Sequence, residues 1–349
     1  MQRRQFLGRA GATVAGVGMS VNSGCLDAIL SQNRTRTARN PVFEHVFADP
    51  SITRASDGTF YASATYQQWG APMDRRLIPI IRSRNLIDWE YVGEAFATKP
   101  NWKDTDDTSG LWAPDIGMLQ GRYVLYYSVA SFDSENPAIG VATASVPGDT
   151  FTDQGKLFSS AEIGVPNSID PYLVVDDGHP YLFWGSFQGI YGIRLAGDGL
   201  TTIGDSFQIA GSGVEAAYLI KHGDHYYLFG SRRSCCSGAD STYHVVVGRS
   251  KRLTGGYKNQ AGDSLLTAAG TMVLHGDVTF AGPGHTDVMQ DDSGTEWLVY
   301  HAYERTNPWV GPIPRRVLML SPLRWADGWP MVATATPSRT IPRPVIRKE

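Results

Sequence analysis

The sequence has little cysteine, no excess of charge of one sign and no long apolar run. It contains 3 cysteines among 349 residues, and its 31 lysines and arginines nearly balance 34 aspartates and glutamates. Because the net charge is only -3, we expect no nucleic-acid partner. A membrane-spanning helix needs about 18 or more consecutive apolar residues, and no internal stretch of the chain supplies them. No second cysteine pair accompanies Cys235-Cys236, so a cysteine-ligated metal site is not expected.

Turn-forming and aromatic residues are plentiful instead, with 38 glycines, 20 prolines, 9 tryptophans, 16 tyrosines and 13 phenylalanines. In residues 168–186 (SIDPYLVVDDGHPYLFWGS) an apolar run, the turn Asp177-Gly178 and an aromatic run follow one another. An Asp-Gly pair between two apolar runs is a strong hairpin signal, because glycine supplies the positive φ of a tight turn. The same pattern recurs in stretches that begin at Ala48, Ala113, Val214 and Gly284.

Five such units, about 45 to 70 residues apart, predict an all-β fold, namely a five-bladed β-propeller. The alternative is a set of unrelated hairpins in another all-β protein. In a propeller the innermost strands run beside the axis, so equivalent strand starts converge on one surface. The side chains predicted to meet there are Asp49, Asp115, Asp170, Glu215 and His285. Carboxyls gathered in one pocket cannot all ionise cheaply, and the resulting spread of pKa values suits acid–base chemistry.

The first residues of the chain read as a targeting segment. Arg3-Arg4 and the mildly apolar stretch behind them resemble a twin-arginine export signal, which we place at residues 1–24. Ser23-Gly24-Cys25 resembles the end of a lipoprotein signal, which makes Cys25 a candidate lipid anchor. We therefore expect an exported protein that is periplasmic, extracellular or lipid-anchored at the cell surface.

The rest of the chain divides by composition into three parts. Residues 25–40 are polar and basic and predict a disordered tether. Residues 41–335 carry the five hairpins and predict the propeller domain, and residues 336–349 predict a short C-terminal tail. Within the propeller, Cys235 and Cys236 are adjacent, a spacing that strains a disulfide, but an oxidising compartment permits one. We predict that these two cysteines are joined.

Several motifs resemble those of the family-43 glycoside hydrolases. They are Asp49-Pro50-Ser51, Leu111-Trp112-Ala113-Pro114-Asp115, Ser168-Ile169-Asp170-Pro171 and Val214-Glu215-Ala216. Others look like the α-L-arabinanases within that family, namely residues 127–145, Cys235-Cys236-Ser237-Gly238, Gly282-Pro283-Gly284-His285 and Val299-Tyr300-His301-Ala302-Tyr303. The resemblance extends from residue 41 to about residue 332, and its motifs follow one another in the family's order.

This resemblance implies a propeller enzyme that hydrolyses α-1,5-linked arabinan with inversion of the anomeric configuration. Asp49 matches the general base, Glu215 the general acid, and Asp170 the carboxylate that positions the acid and tunes its pKa. Trp112, Phe132, Asn167 and Ser186 match positions that line the sugar cleft. Asp115 lies at a strand start like the other carboxyls, so we expect it to support the sugar site, and a turn cap is the alternative. Inversion requires an acid and a base on opposite faces of the sugar, and strand starts on different blades can supply that separation.

The resemblance also implies a central metal ion, usually calcium, held largely through water beside His285. One histidine with waters would make a weak and exchangeable site for a hard cation, and a core histidine without metal is the alternative. The chain departs from the family's usual pattern at Ala216-Ala217 and at Asp287, either of which could alter the shape of the sugar subsites.

Three interpretations of the function remain at this point. The first is an endo-acting arabinanase, which we expect to be a monomer whose substrate is arabinan or arabino-oligosaccharide. The second is an exo-acting α-L-arabinofuranosidase or β-xylosidase of the same fold. The third is a sugar-binding propeller without catalysis, which is disfavoured because a binding module does not need Asp49, Asp170 and Glu215 together.

Overall fold

Five antiparallel four-stranded sheets make up most of the computed structural model, which describes residues 36–69, 75–103 and 109–347. Each sheet is built from strands that follow one another along the chain, and each is one blade of a propeller. The predicted all-β, five-bladed architecture is confirmed. No helix in the described part of the chain has the length and apolar character needed to cross a membrane.

Outside the blades, the described residues form three two-stranded pairings and two short helices. The pairings join β1 (Thr37–Arg39) to β26 (Thr340–Pro342), β4 (Gln67–Gln68) to β5 (Arg75–Arg76), and β22 (Trp309–Val310) to β23 (Ile313–Pro314). The helices are α1 (Ser160–Ile163) and a 3-10 turn (Gly238–Asp240).

The blades follow the order of the chain. The first contains β2 (Ser51–Arg54), β3 (Phe60–Ser63), β6 (Pro79–Ser83) and β7 (Trp89–Glu94). The second contains β8 (Gly110–Leu119), β9 (Arg122–Ala130), β10 (Ala138–Ala144) and β11 (Thr152–Ser159). The third contains β12 (Tyr172–Asp176), β13 (His179–Trp184), β14 (Ile190–Leu195) and β15 (Thr202–Ala210). The fourth contains β16 (Glu215–His222), β17 (His225–Arg232), β18 (His244–Ser250) and β19 (Thr271–Leu274). The fifth contains β20 (Phe280–Gln290), β21 (Glu296–Glu304), β24 (Arg316–Ala326) and β25 (Trp329–Val332).

The hydrophobic core lies between neighbouring blades. The second strand of each blade is rich in aromatic and β-branched residues, which favour strands, and it is buried because both faces of its sheet are covered. Phe229 and Tyr300 pack between the fourth and fifth blades, and Phe60 and Trp297 pack between the fifth and the first. Removal of apolar surface from water contributes about 25 cal/mol per Å², so this packing stabilises every blade boundary.

Near the beginning of every blade, one non-glycine residue at an equivalent position has a left-handed backbone. The five residues there, the left-handed positions, are Asp49 (φ 54°), Ala113 (φ 44°), Asp170 (φ 58°), Ala216 (φ 55°) and His285 (φ 50°). Such a conformation costs a non-glycine residue roughly 1–2 kcal/mol, so the surrounding contacts must hold it in place.

The left-handed positions show that the five strand starts predicted from sequence are not all equivalent. In the second and fourth blades the left-handed positions are Ala113 and Ala216. Asp115 therefore lies two residues after its left-handed position, and Glu215 lies one residue before its own. The register of strand pairing shifts between Trp112 and Asp115 and again between Glu215 and Tyr218. Such bulges displace residues from the positions that a regular repeat would give them.

Two residues after each left-handed position, a side chain lines a narrow cavity that all five blades share. These residues, which we call the axial belt, are Ser51, Asp115, Tyr172, Tyr218 and Asp287, around a cavity of about 20 Å³. Each belt side chain bonds the backbone of the next blade, through the pairs Ser51–Ile116, Asp115–Leu173, Tyr172–Leu219, Tyr218–Val288 and Asp287–Ile52. The fifth bond returns to the first blade, so the belt closes the propeller.

The two ends of the described chain meet at the boundary between the fifth and first blades, so residues 37–40 of the predicted tether are ordered. Strand β1 pairs with β26, and buried Asn40 bonds the backbone of Leu320 and Ser338. The main-chain amide of Val345 donates to Asp291 at the same boundary. Residues 37–40 and 338–347 thus belong to the fold, because they pair with each other and also bond the fifth blade. The predicted export signal and Cys25 lie outside the described residues.

Candidate active site

Asp49, at the left-handed position of the first blade, lies in a cationic and hydrogen-bonding environment. Arg316 donates to Asp49 Oδ1 at 3.0 Å and Thr65 donates to Oδ2 at 2.6 Å. The Nδ1 atoms of His285 and His301 each lie 3.4 Å from Asp49 Oδ1. Burial alone would raise the pKa of Asp49, but the Arg316 charge and the other partners outweigh it and hold this pKa well below its usual range. Asp49 is therefore ionised at neutral pH.

His301 fixes the backbone of Asp49 rather than carrying charge. Its Nδ1 accepts the Asp49 amide at 3.0 Å, so the neutral ring carries its proton on Nε2. Burial, reinforced by Arg316, lowers the pKa of His301 well below the usual value, which keeps the imidazole neutral. The ring is also stacked on Tyr243, with the two planes 7° apart.

Asp170 and Glu215 form a buried pair of carboxyls that, unlike Asp49, tends to keep a proton. The Ala216 amide donates to Asp170 Oδ2 at 3.2 Å, and the Ser186 hydroxyl donates to Glu215 Oε2 at 2.6 Å. Burial raises the pKa of both groups, and repulsion from Glu215 and Asp49 raises that of Asp170 further. The pair retains at least one proton at a pH where Asp49 has lost its own, and its titration belongs to the pair as a unit.

The residues predicted to line the sugar cleft fall into two groups. Trp112 and Phe132 are in ring contact, with centroids 5.1 Å apart, and Phe132 is 85% exposed, so these rings offer a free aromatic surface to a sugar. Asn167 donates to the Ser186 carbonyl at 2.9 Å, which brings these two residues together. Ser186 is only 2% exposed, and its hydroxyl is directed at Glu215.

Asp115 lies below this cleft in the axial belt. Its Oδ1 accepts from the Ser51 hydroxyl at 3.0 Å, and its Oδ2 accepts from the Leu173 amide at 2.8 Å. Both oxygens are thus bound by neighbouring blades, and this geometry favours a structural role for Asp115 over the predicted sugar contact. Burial raises the pKa of Asp115 to about 6.

His285 occupies the left-handed position of the fifth blade, where its amide donates to Ser231 Oγ at 2.9 Å. Burial lowers the pKa of His285, so its imidazole is neutral and able to act as a ligand. Within the described residues, no group of three or more His, Cys, Asp or Glu side chains is arranged to hold a metal ion. A cation beside His285 would depend on this single nitrogen and on water.

Some contributors to the site were missed by sequence reasoning. Arg316 begins the third strand of its blade, Thr65 follows the second strand of the first blade, and neither carries a motif. His301 lay within a motif quoted for the resemblance, but nothing in the sequence assigned a partner to His301 or to Tyr243. The predicted bridge between Cys235 and Cys236 is present in the loop that precedes Tyr243.

The site combines a carboxylate held ionised by Arg316 with a buried pair of carboxyls that retains a proton. A base and an acid of this kind are what hydrolysis of a glycosidic bond requires. The fold and the site together define a propeller enzyme of the glycoside hydrolase class. Residues 38–330 match the model of the glycosyl hydrolases family 43. The chain belongs to that family.

Individual relatives are similar along most of their length. An extracellular exo-α-(1→5)-L-arabinofuranosidase of Cellvibrio japonicus is 33% identical, over 81% of this chain and 85% of the relative. An extracellular endo-α-(1→5)-L-arabinanase of Bacillus subtilis is 34% identical, over 74% of this chain and 80% of the relative. Among solved structures, the α-L-arabinanase of Cellvibrio cellulosa complexed with arabinohexaose is 31% identical with a TM-score of 0.72, covering 83% of this chain and 96% of that one.

Proposed function

We propose that the protein is an arabinan endo-1,5-α-L-arabinosidase that cleaves α-1,5-linked L-arabinan with inversion. The observation that carries this proposal is the unequal contacts of buried carboxyls: the Arg316 guanidinium lies 3.0 Å from Asp49, whereas Asp170 and Glu215 accept from the Ala216 amide and the Ser186 hydroxyl. The first environment favours the ionised form, and burial favours at least one proton on the Asp170–Glu215 pair. Inverting hydrolysis needs both states at once, in a base and in an acid. The names of the relatives, which refer to α-1,5-linked arabinosyl chains, support arabinan as the substrate.

In the proposed mechanism each carboxyl has one task. Asp49 takes a proton from a water molecule as the water oxygen attacks the anomeric carbon. Glu215 gives its proton to the departing glycosidic oxygen, so the bond to the leaving sugar breaks as the bond to water forms. Asp170 holds the Ala216 amide beside Glu215 and opposes early loss of the acid's proton.

Two experiments test this mechanism. Time-resolved NMR of the anomeric proton should show the inverted product first, and initial appearance of the retained anomer would overturn the mechanism. Glu215→Ala should severely reduce the rate of arabinan hydrolysis, because the sugar leaving group must be protonated. The loss of rate should be smaller on an aryl arabinofuranoside with an activated leaving group. Asp49→Ala should be severe on both substrates, because both require activated water.

Exo-acting cleavage is the second candidate, favoured by the similarity to the Cellvibrio japonicus relative. Chromatography of the early products from linear arabinan separates the two modes. An endo-acting enzyme releases a range of oligosaccharides, whereas an exo-acting enzyme releases one short product from the start.

Calcium beside His285 is a further part of the proposal. The neutral imidazole and the Thr286 hydroxyl, which is buried without a partner among the described residues, both line the axial cavity and fit a weakly held hard cation. Its charge would favour ionisation of nearby carboxyls. Chelation should shift the pH profile, lower the rate and remove calcium detected by elemental analysis. An unchanged profile, or the absence of bound metal before chelation, would contradict this part.

Export forms the last part of the proposal, supported by the word extracellular in the names of the relatives. A twin-arginine signal at residues 1–24 directs the chain out of the cytoplasm, and Cys25 becomes the lipid-bearing first residue of a monomer. Intact-mass measurement of the exported protein tests both points. A mature chain that retains residues 1–20 contradicts the signal, and a chain without diacylglycerol contradicts the anchor.

A further inference from the structure

A repeated hydrogen bond links the left-handed positions to the preceding blade. In four of the five blades, the backbone amide of this residue donates to a polar side chain on or just after the second strand of the preceding blade. This bond joins Asp49 to His301 (3.0 Å), Ala113 to Thr65 (2.9 Å), Asp170 to Ser128 (3.0 Å) and His285 to Ser231 (2.9 Å). It satisfies a buried donor and holds a conformation that the residue alone would avoid.

The fourth blade breaks this repeat. The Ala216 amide donates instead to the carboxyl of Asp170, at 3.2 Å. Ser186 is the corresponding residue of the third blade, because it follows strand β13 by two residues as Thr65 follows strand β3. With the Ala216 amide already bound, the Ser186 hydroxyl donates to Glu215 Oε2 at 2.6 Å.

We propose that Ser186 is a positioning residue for Glu215, in which a side chain released from the repeated blade bond orients the proton donor and strengthens it as an acid. This inference deepens the proposed function and rests on it. It replaces the sugar contact predicted for Ser186, whose buried hydroxyl is committed to the carboxyl.

The groups that face Glu215 pull its ionisation in both directions. Burial and the negative charges of Asp170 and Asp49 oppose ionisation, whereas Arg316 favours it. The hydroxyls of Ser186 and Tyr243 donate to the carboxylate and also favour it. Loss of Ser186 would leave the opposing influences in place, so the pKa of Glu215 would rise further and its proton would be released less readily.

Ser186→Ala tests the proposal through the pH profile and through substrate choice. The alkaline limb of kcat/KM, which reports the protonated acid, should move up by about one pH unit, because a hydrogen bond to a charged group is lost. The kcat on arabinan should fall about tenfold or more, and kcat on an activated aryl arabinofuranoside should fall less. Ser186→Thr keeps the hydroxyl and should recover most of both effects.

Ser231→Ala is the matched control, because it removes a buried serine hydroxyl of the same repeat whose hydrogen bond is made with the His285 amide rather than with the Glu215 carboxyl. It should lower stability and leave the alkaline limb in place. A rise in KM for Ser186→Ala with an unchanged limb would identify Ser186 as a sugar ligand and overturn the proposal. Equal losses on both substrates with an unchanged limb would show a structural role only, which also overturns it.

Failure of the proposed function has a different signature. If the unaltered enzyme cleaves neither substrate, the proposed function is wrong whatever Ser186 does. Titration of the Glu215 carboxyl by carbon-13 NMR would still compare the unaltered chain with Ser186→Ala. An unchanged titration of Glu215 in that comparison would overturn the positioning role independently of activity.

Discussion

At the scale of single residues, the site depends on unequal partners given to equally buried carboxyls. Asp49, Asp170 and Glu215 are all held out of water, and burial alone would raise the pKa of each of them. Asp49 differs because a guanidinium lies 3.0 Å from one of its oxygens. The division between base and acid therefore follows from the placement of Arg316 rather than from the carboxyls themselves.

Arg316→Met should move the acid limb of kcat/KM to higher pH. The base must be ionised to act, and loss of an adjacent positive charge raises a carboxyl pKa by about 1–3 units. Activity should thus fall most at acidic pH and least near neutral pH. Arg315→Met is the matched control, because Arg315 pairs with Glu304 at 2.9 Å, away from Asp49. An acid limb that stays in place in Arg316→Met would contradict this assignment.

At the scale of elements, the sequence predicted the hairpins but not which residue of each first strand occupies the equivalent position in its blade. The Asp-Gly turn and the apolar runs have local signatures, so the blades and Asp49, Asp170 and His285 could be placed correctly. The bulges that displace Asp115 and Glu215 have no local sequence signature. Their left-handed residues are Ala113 and Ala216, and alanine does not favour a left-handed backbone. Contacts between blades impose that conformation, and such contacts are remote in sequence.

Gly284, on the first strand of the fifth blade, should tolerate no side chain. A Cβ there would clash with the ring of Tyr243, which donates to Glu215 and stacks on His301. Gly284→Ala should therefore cost about 1–3 kcal/mol in the free energy of unfolding and also lower activity on arabinan. Denaturant unfolding and kinetics on the same sample measure both.

Gly93→Ala is the control for that substitution, because the nearest atom to its Cβ is a carbonyl oxygen at 3.9 Å, an ordinary contact. Its effect on stability and on activity should be small. Equal behaviour of Gly93→Ala and Gly284→Ala would show that Tyr243 is free to move and that its position is unimportant to the acid.

At the scale of the whole molecule, the axial belt joins every blade to the next and makes stability depend on pH. The pKa of Asp115 in the folded chain is about 6, against 3.8 for the ordinary group. Its raised pKa means that the folded state binds the proton more tightly than the unfolded state. The resulting stability is fully present below about pH 4 and is lost as pH rises through about 6.

Asp115→Asn should reduce the slope of the free energy of unfolding against pH between about pH 4 and pH 6. The neighbouring Asp287, whose pKa burial raises to about 8, should keep part of that slope in the variant. The shift of about two pKa units corresponds to about 3 kcal/mol at most. The amide can still accept the Leu173 hydrogen bond, so the fold should be retained. Urea unfolding at several pH values measures the slope, and an unchanged slope in this window would contradict the role given to Asp115.

The closure of the propeller also depends on segments far apart in the chain, and Asn40 is where they meet. Its side chain, 1% exposed, makes three hydrogen bonds of 2.7–3.0 Å to the backbone of Leu320 and Ser338. Asn40→Ala leaves buried backbone groups without partners, so it should lower the free energy of unfolding by about 2–4 kcal/mol. Asn101→Ala, at an exposed position, should change it by less than about 0.5 kcal/mol. Guanidinium unfolding measures the free energy of unfolding of the two variants. Equal values would contradict the prediction, since residue 40 of a disordered tether would behave like residue 101.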